Sequence, residues 1–189
     1  MTMMRRQAGN PAAGAWMAGH LMAALAALAT GSAAATPAAT PAAASLCQPG
    51  EDTVFSCPAG RKQIAVCASP GLGATGGQLQ YRFGRPGAVE LQYPPADGST
   101  ADWRASVRAG SLMFSGGGGA WLALDKGDHR YVVYTAIGRG WGTKEGVVVE
   151  RAGRRIAHVP CTQAAQSQLG PDLASRAGIA PDTREFDLP

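Results

Sequence analysis

Residues 119–161, GAWLALDKGDHRYVVYTAIGRGWGTKEGVVVERAGRRIAHVPC, carry the densest run of strand signals in the chain and end on its last cysteine. Leu122 and Leu124 alternate with Trp121 and Ala123, and Asp125-Lys126-Gly127-Asp128 then places a glycine where a tight hairpin needs positive φ. His129 to Ile137 is rich in the β-branched and aromatic residues that fit a pleated surface, and Gly138 and Gly140 stop it. The next hairpin joins Val147–Glu150 to Arg155–Val159 through Ala152-Gly153. A two-residue turn there sets Glu150 opposite Arg155 on one face and Val149 opposite Ile156 on the other, as a half-buried antiparallel ribbon requires. Four consecutive strands are predicted.

The same signals recur upstream. Leu79, Tyr81 and Phe83 face Val89, Leu91 and Tyr93 across a turn at Arg85-Pro86-Gly87, and Pro94-Pro95 ends the pair. Thr53–Cys57 and Lys62–Cys67 form a hairpin about Ala59-Gly60, and Leu112-Met113-Phe114 makes a short strand before Gly116–Gly119. Residues 96–110 are polar, with one aromatic at Trp103. About eight or nine short strands in hairpin order predict an all-β antiparallel meander, closed as a small barrel or a curved sandwich.

Residues 1–35 read as a secretory signal: Arg5 and Arg6 precede the apolar run Leu21–Ala29, and Ala33-Ala34-Ala35 offers small residues for cleavage. That apolar run is far shorter than the roughly 20 residues a spanning helix needs, so no stable membrane span is expected after cleavage. Residues 36–46, TPAATPAAASL, are of low complexity and read as a linker. Residues 47–161 are enough for one core and too few for two. The formal charge of +4 falls to about +2 without Arg5 and Arg6, and no block of like charges follows, so a nucleic-acid partner is not indicated.

Cys47, Cys57, Cys67 and Cys161 all lie in the exported portion, and an even count in an oxidising compartment predicts two disulfides rather than a zinc site, which would want paired CxxC motifs or nearby histidines. Three pairings are open to four cysteines. The first hairpin brings Cys67 near the chain entering at Thr53 and leaves Cys57 near the turn, which favours Cys47 with Cys67 and Cys57 with Cys161. In the tail, 162–189, Thr162 to Leu169 is read as two helical turns broken by Gly170-Pro171, with residues 170–189 poorly ordered. The alternative is that Phe186 and Leu188 dock on the domain.

No catalytic residue, metal or cofactor is assigned. The four glycines at 116–119 open a strand rather than the helix a phosphate loop needs, and read as a hairpin connection. Ser115 lacks a G-x-S-x-G frame, His129 and His158 lack a third ligand, and Asp125 and Asp128 suit a turn. The candidate binding stretch is Ile137 to Glu145, where Trp141 sits between glycines with Arg139 and Lys144 on either side. Arg139, Trp141 and Lys144 either form a recognition loop or serve a fold in which Trp141 turns back to close one end of the domain.

The segments CQPGEDTVFSCPAGRKQIAVCAS, LQYRFGRPGAVELQYP, LMFSGGGGAWLAL and HRYVVYTAIGRGWGTKEGVVVERAGRRIAHVPC resemble a family of uncharacterised exported proteobacterial proteins, across Cys47 to Cys161. The resemblance implies export and these domain limits, and carries no activity. In size, export and strand content the domain is also similar to small periplasmic lysozyme inhibitors, a likeness of architecture alone. The expectation is a periplasmic or secreted, non-enzymatic binding module or inhibitor acting on an extracytoplasmic protein. The alternatives are a hydrolase acting on a cell-envelope substrate and a structural envelope protein.

Overall fold

A computed structural model of the chain describes residues 45–95 and 102–189. The expected signal, residues 36–44 of the expected linker and residues 96–101 lie outside the described residues. The elements in chain order are β1 (Asp52–Ala59), β2 (Lys62–Ala68), β3 (Leu79–Arg85), β4 (Ala88–Tyr93), β5 (Val107–Phe114), β6 (Gly117–Lys126), β7 (His129–Gly138), β8 (Gly142–Arg151), β9 (Arg154–Pro160), β10 (Gln166–Ser167) and the helix α1 (Pro171–Ala177), with one 3-10 turn at Trp103–Ser106. Two antiparallel five-stranded sheets result, ordered β10-β1-β2-β3-β4 and β5-β6-β7-β8-β9. The fold is therefore an all-β sandwich, and of the two closures expected from sequence the barrel is not the one formed.

The turns follow local chemistry. Ala152 and Gly153 both take positive φ, 47° and 74°, the geometry whose twist matches a two-residue hairpin, and Glu150 stands opposite Arg155 as expected. A bulge between Val149 and Glu150 then corrects the rest of that register. Val149 faces Ala157 rather than Ile156, and Ile156 is left exposed, because a bulge places two residues against one and rotates the extra side chain out of the ladder. The β3–β4 pair behaves alike. Tyr81 faces Tyr93 and Phe83 faces Leu91, but a shift at Gly84 sets Val89 against that glycine and out to solvent.

Apolar side chains alternate onto the facing surfaces of the two sheets. Phe55, Ile64, Val66, Leu79 and Tyr81 from the first meet Val107, Leu122, Leu124, Val133 and Val147 from the second. Helix α1 closes one side of this core with Leu173 and Ala177. It begins at the Pro171 that sequence reasoning took for a breaker: proline lacks an N–H, and the first helical position has no intrahelical partner for one. The two turns expected at 162–169 are replaced by β10, which pairs with β1. Both disulfides have the favoured connectivity, Cys47–Cys67 and Cys57–Cys161, and the second ties the first sheet to the end of β9.

The outer faces are covered by the segments that flank the strands. On the first sheet, Leu46, assigned to the linker from sequence, is buried with Ala65 and Cys67, and Glu51 forms a two-pronged ion pair with the buried Arg82. On the second, residues 181–189 cross the strands as a strap. The Asp182 amide donates to the Ala109 carbonyl at 2.7 Å, its carboxylate pairs with the buried Arg130, and Phe186 is buried between Trp121 and Tyr134, with ring centroids 5.7 and 5.5 Å away. The expectation of a poorly ordered tail is thus overturned. Phe186 and two acid–arginine contacts, Asp182 with Arg130 and Arg184 with Asp125, bind a segment whose composition alone looked too thinly apolar to dock.

Candidate functional site

In a meander, alternate turns fall at the same end of a sheet. The β5–β6 turn at Ser115-Gly116 and the β7–β8 turn at Arg139–Trp141 are therefore neighbours, and the Arg139 amide joins them by donating to the Gly116 carbonyl at 3.0 Å. The four-glycine run is not a hairpin connection as expected, since Gly117, Gly118 and Gly119 are already paired with β5 on one side and β7 on the other. Close approach explains the residue type. A Cβ on Gly117 would stand 2.1 Å from the Ile137 carbonyl oxygen and 2.6 Å from the Phe114 ring, and one on Gly119 would stand 2.4 Å from the Thr135 carbonyl oxygen.

The paired tips present large apolar side chains to solvent. Met113 is 92 % exposed, Ile137 62 %, Trp141 39 % and Phe114 36 %. Met113, Gly118, Ile137 and Thr143 form one cross-strand row, and Phe114, Gly117, Gly138 and Gly142 form the next. Successive rows point to opposite faces, so Met113 and Ile137 lie on one side of the tip and Phe114 with Trp141 on the other. Trp141 folds back over Gly138, where a Cβ would come within 2.2 Å of its indole, and stacks obliquely on Phe114 at 5.6 Å. It still reaches solvent, at 39 % exposure.

Arg139 occupies the turn and is exposed, whereas Thr143, Lys144 and Glu145 belong to β8 and not to a loop. The Lys144 ammonium lies 5.4 Å from the Trp141 ring centroid and donates to the Pro189 carbonyl at 2.6 Å, which ties it to the strap. The Glu145 carboxylate accepts from the Thr135 hydroxyl at 3.0 Å and from the Ala165 amide at 2.7 Å. Sequence reasoning singled out Arg139, Trp141 and Lys144 within the stretch Ile137 to Glu145, and did not place Met113 and Phe114 beside it. The meander itself was the signal, because it brings LMFSG and AIGRGWG to one end.

Four other ionisable groups, Asp128, Asp182, Tyr134 and His158, have structural partners. Asp128 takes the Arg151 guanidinium at 2.7 Å and the His129 ring at 2.6 Å, and the Arg151 hydrogen bond in particular holds its carboxyl below the ordinary range. Burial opposes the charge on Asp182, yet the Arg184 amide and the Arg130 and Arg184 guanidinium groups together hold its carboxyl low. His158 shares a 2.8 Å hydrogen bond with Tyr134; burial, then the charges of Arg155 and Lys144, push the imidazole below its usual value, and burial raises the Tyr134 hydroxyl to about 12. Ser115 lies in the tip turn. Among the described residues, Cys47, Glu51 and Cys67 form a group with metal-like spacing, but both sulfurs are spent in a disulfide and Glu51 is held by Arg82. No helix among the described residues is long and apolar enough to cross a membrane. The chain matches no known protein-family model, no curated protein and no solved structure.

Proposed function

We propose that this protein is a non-enzymatic binding module of the extracytoplasmic envelope, which meets its partner through the paired hairpin tips. One observation carries the reading: four large apolar side chains are exposed together at one end of the second sheet, whose other large apolar side chains, Ile156 in β9 apart, are mostly buried by the opposite sheet or by the strap. Clustered exposed apolar groups carry a solvation cost that interaction sites put to use. Two disulfides fit an oxidising compartment, and the export signal read in residues 1–35 would carry the chain to the periplasm or outside the cell. A hydrolase is the less favoured reading, because Asp125, Asp128, Glu150 and Asp182 are each engaged by an arginine rather than facing one another across a cleft.

The test uses immobilised wild-type protein and a Met113→Glu/Ile137→Glu variant as parallel baits for cell-envelope material, with folding checked by circular dichroism. Both side chains point into solvent, so the variant should keep its fold. Envelope material held by the wild type and lost by the folded variant is the expected result; equal retention by both removes the tips as the contact surface.

A further inference from the structure

The tip is apolar on both faces, and that feature separates one class of partner from the rest. A flat protein surface covers one side of a ribbon, and only a groove or a fluid medium covers both. Here Met113 and Ile137 occupy one face while Phe114 and Trp141 occupy the other, an arrangement suited to a medium that surrounds the wedge. Building on the reading of the tips as the contact surface, we propose that they insert into the interfacial region of an anionic phospholipid bilayer.

Charge points the same way. Residues 109–119 contain no ionisable side chain, and residues 135–144 contain two, both basic: Arg139, exposed in the turn, and Lys144, whose ammonium also donates to the Pro189 carbonyl. The nearest acid in β8, Glu145, lies on the opposite face of the strand from Lys144 and accepts from the Thr135 hydroxyl and the Ala165 amide there. Long basic side chains can keep their charged ends among phosphates while their stems lie along apolar surface, and anionic headgroups attract them. Tryptophan suits the same depth, where its ring is apolar and its N–H stays wet.

The backbone sets how far the wedge goes. At the tip, Gly117–Gly119 of β6 and Ala136–Gly138 of β7 have partners on both sides, so most of their amides and carbonyls are paired before any lipid is met. Beyond Gly146 the partner of β8 has ended, and β5 is an edge strand, so Leu112–Phe114 and Gly142–Lys144 each keep an unpaired side. Those groups need water or headgroups, which limits entry to roughly the 5–10 Å reached by interfacial segments. The protein thus rests on the membrane and does not span it.

The experiment is co-sedimentation of the purified protein with vesicles of phosphatidylglycerol mixed with phosphatidylethanolamine, and with vesicles of phosphatidylcholine alone. All variants carry the same N-terminus, so differences report the tip. The wild type should bind the anionic vesicles and not the neutral ones, Met113→Glu/Ile137→Glu should weaken binding by about tenfold or more, and Arg139→Gln should lower both affinity and its sensitivity to salt. Equal binding by the double variant, equal binding to neutral vesicles, or no binding by the wild type overturns the proposal. If the wild type ignores both vesicles yet retains an envelope protein that the double variant loses, the lipid inference fails and the binding-module reading stands. If the double variant loses nothing in either assay, both fail.

Discussion

Phe186→Ala tests how the strap is held. The Phe186 ring is buried against Trp121 and Tyr134 on the outer face of the second sheet. Burying a phenylalanine contributes about 1.5–3 kcal/mol, and each well-placed aromatic pair adds about 0.5–1.5 kcal/mol. Some of that is offset by the entropy of ordering the segment, so the ring accounts for about 2–4 kcal/mol of docking. At 1.4 kcal/mol per factor of ten, its loss raises the strap-open population by at least about 30-fold, until the open form predominates. The assay is limited trypsin digestion, followed at Arg184. Its side chain is engaged by Asp125 at 2.7 Å and by Asp182 at 3.2 Å, so cleavage there needs the strap to leave the sheet. When opening is fast relative to cleavage, the rate follows the open population. Cutting after Arg184 should accelerate at least about 30-fold in the variant, with sites in the β ladder little changed. An Arg184 rate within about threefold of the wild type would refute the claim that Phe186 holds the strap.

The two disulfides close loops of very different length, with sequence separations of 20 and 104. In the chain-entropy account, replacing Cys57 and Cys161 by alanine should therefore cost about 4–5 kcal/mol and replacing Cys47 and Cys67 about 3 kcal/mol, an ordering that urea unfolding would check. Gly119→Ala forces a Cβ to 2.4 Å from the Thr135 carbonyl oxygen and should lower stability by about 1–3 kcal/mol, whereas alanine at Gly127, with nothing within 4 Å, meets only the penalty of its positive φ. The Asp182 carboxyl is held below its ordinary value in the folded protein, so its contribution to docking is full above the unfolded value near 4 and is lost as pH falls through the depressed folded value. Amide exchange at Asp182 should speed up over that acid range relative to the β ladder, and Asp182→Asn should weaken docking at neutral pH while flattening the dependence.

Much of the strand order was legible because β structure is written with period two and its turns are punctuated by glycine. The pairings of Glu150 with Arg155, Tyr81 with Tyr93 and Phe83 with Leu91 follow from turn length and alternation alone. Most of what failed was not local. The register shift at Val149 had no residue type to announce it, whereas the one at Gly84 falls on a glycine inside a strand, a bulge signal that the alternation reading passed over. The outer faces were misjudged because Arg82 and Arg130 look solvent-facing in a strand, yet each is buried beneath a flanking segment that supplies a carboxylate, from Glu51 and from Asp182. The same long-range pairing made the tail look unstructured. At the tip, Trp141 stood out as an aromatic between glycines, while Met113, Phe114 and Ile137 read as ordinary strand residues. The exposure of Met113 and Ile137 depends on the strands of the second sheet running past the cover of the first, and Phe114 lies on the outer face.

Trp141 supplies the most direct measurement, because Trp103 and Trp121 are buried and Trp141 reaches solvent at the tip. Its fluorescence would be followed while vesicles containing brominated phosphatidylglycerol are added, with Trp141→Phe as the subtraction control. Insertion of the tips predicts a blue-shifted Trp141 emission that is quenched by bromines placed near the headgroup end of the acyl chains. An unchanged Trp141 emission, with the protein either left in solution or bound by another face, would contradict the account.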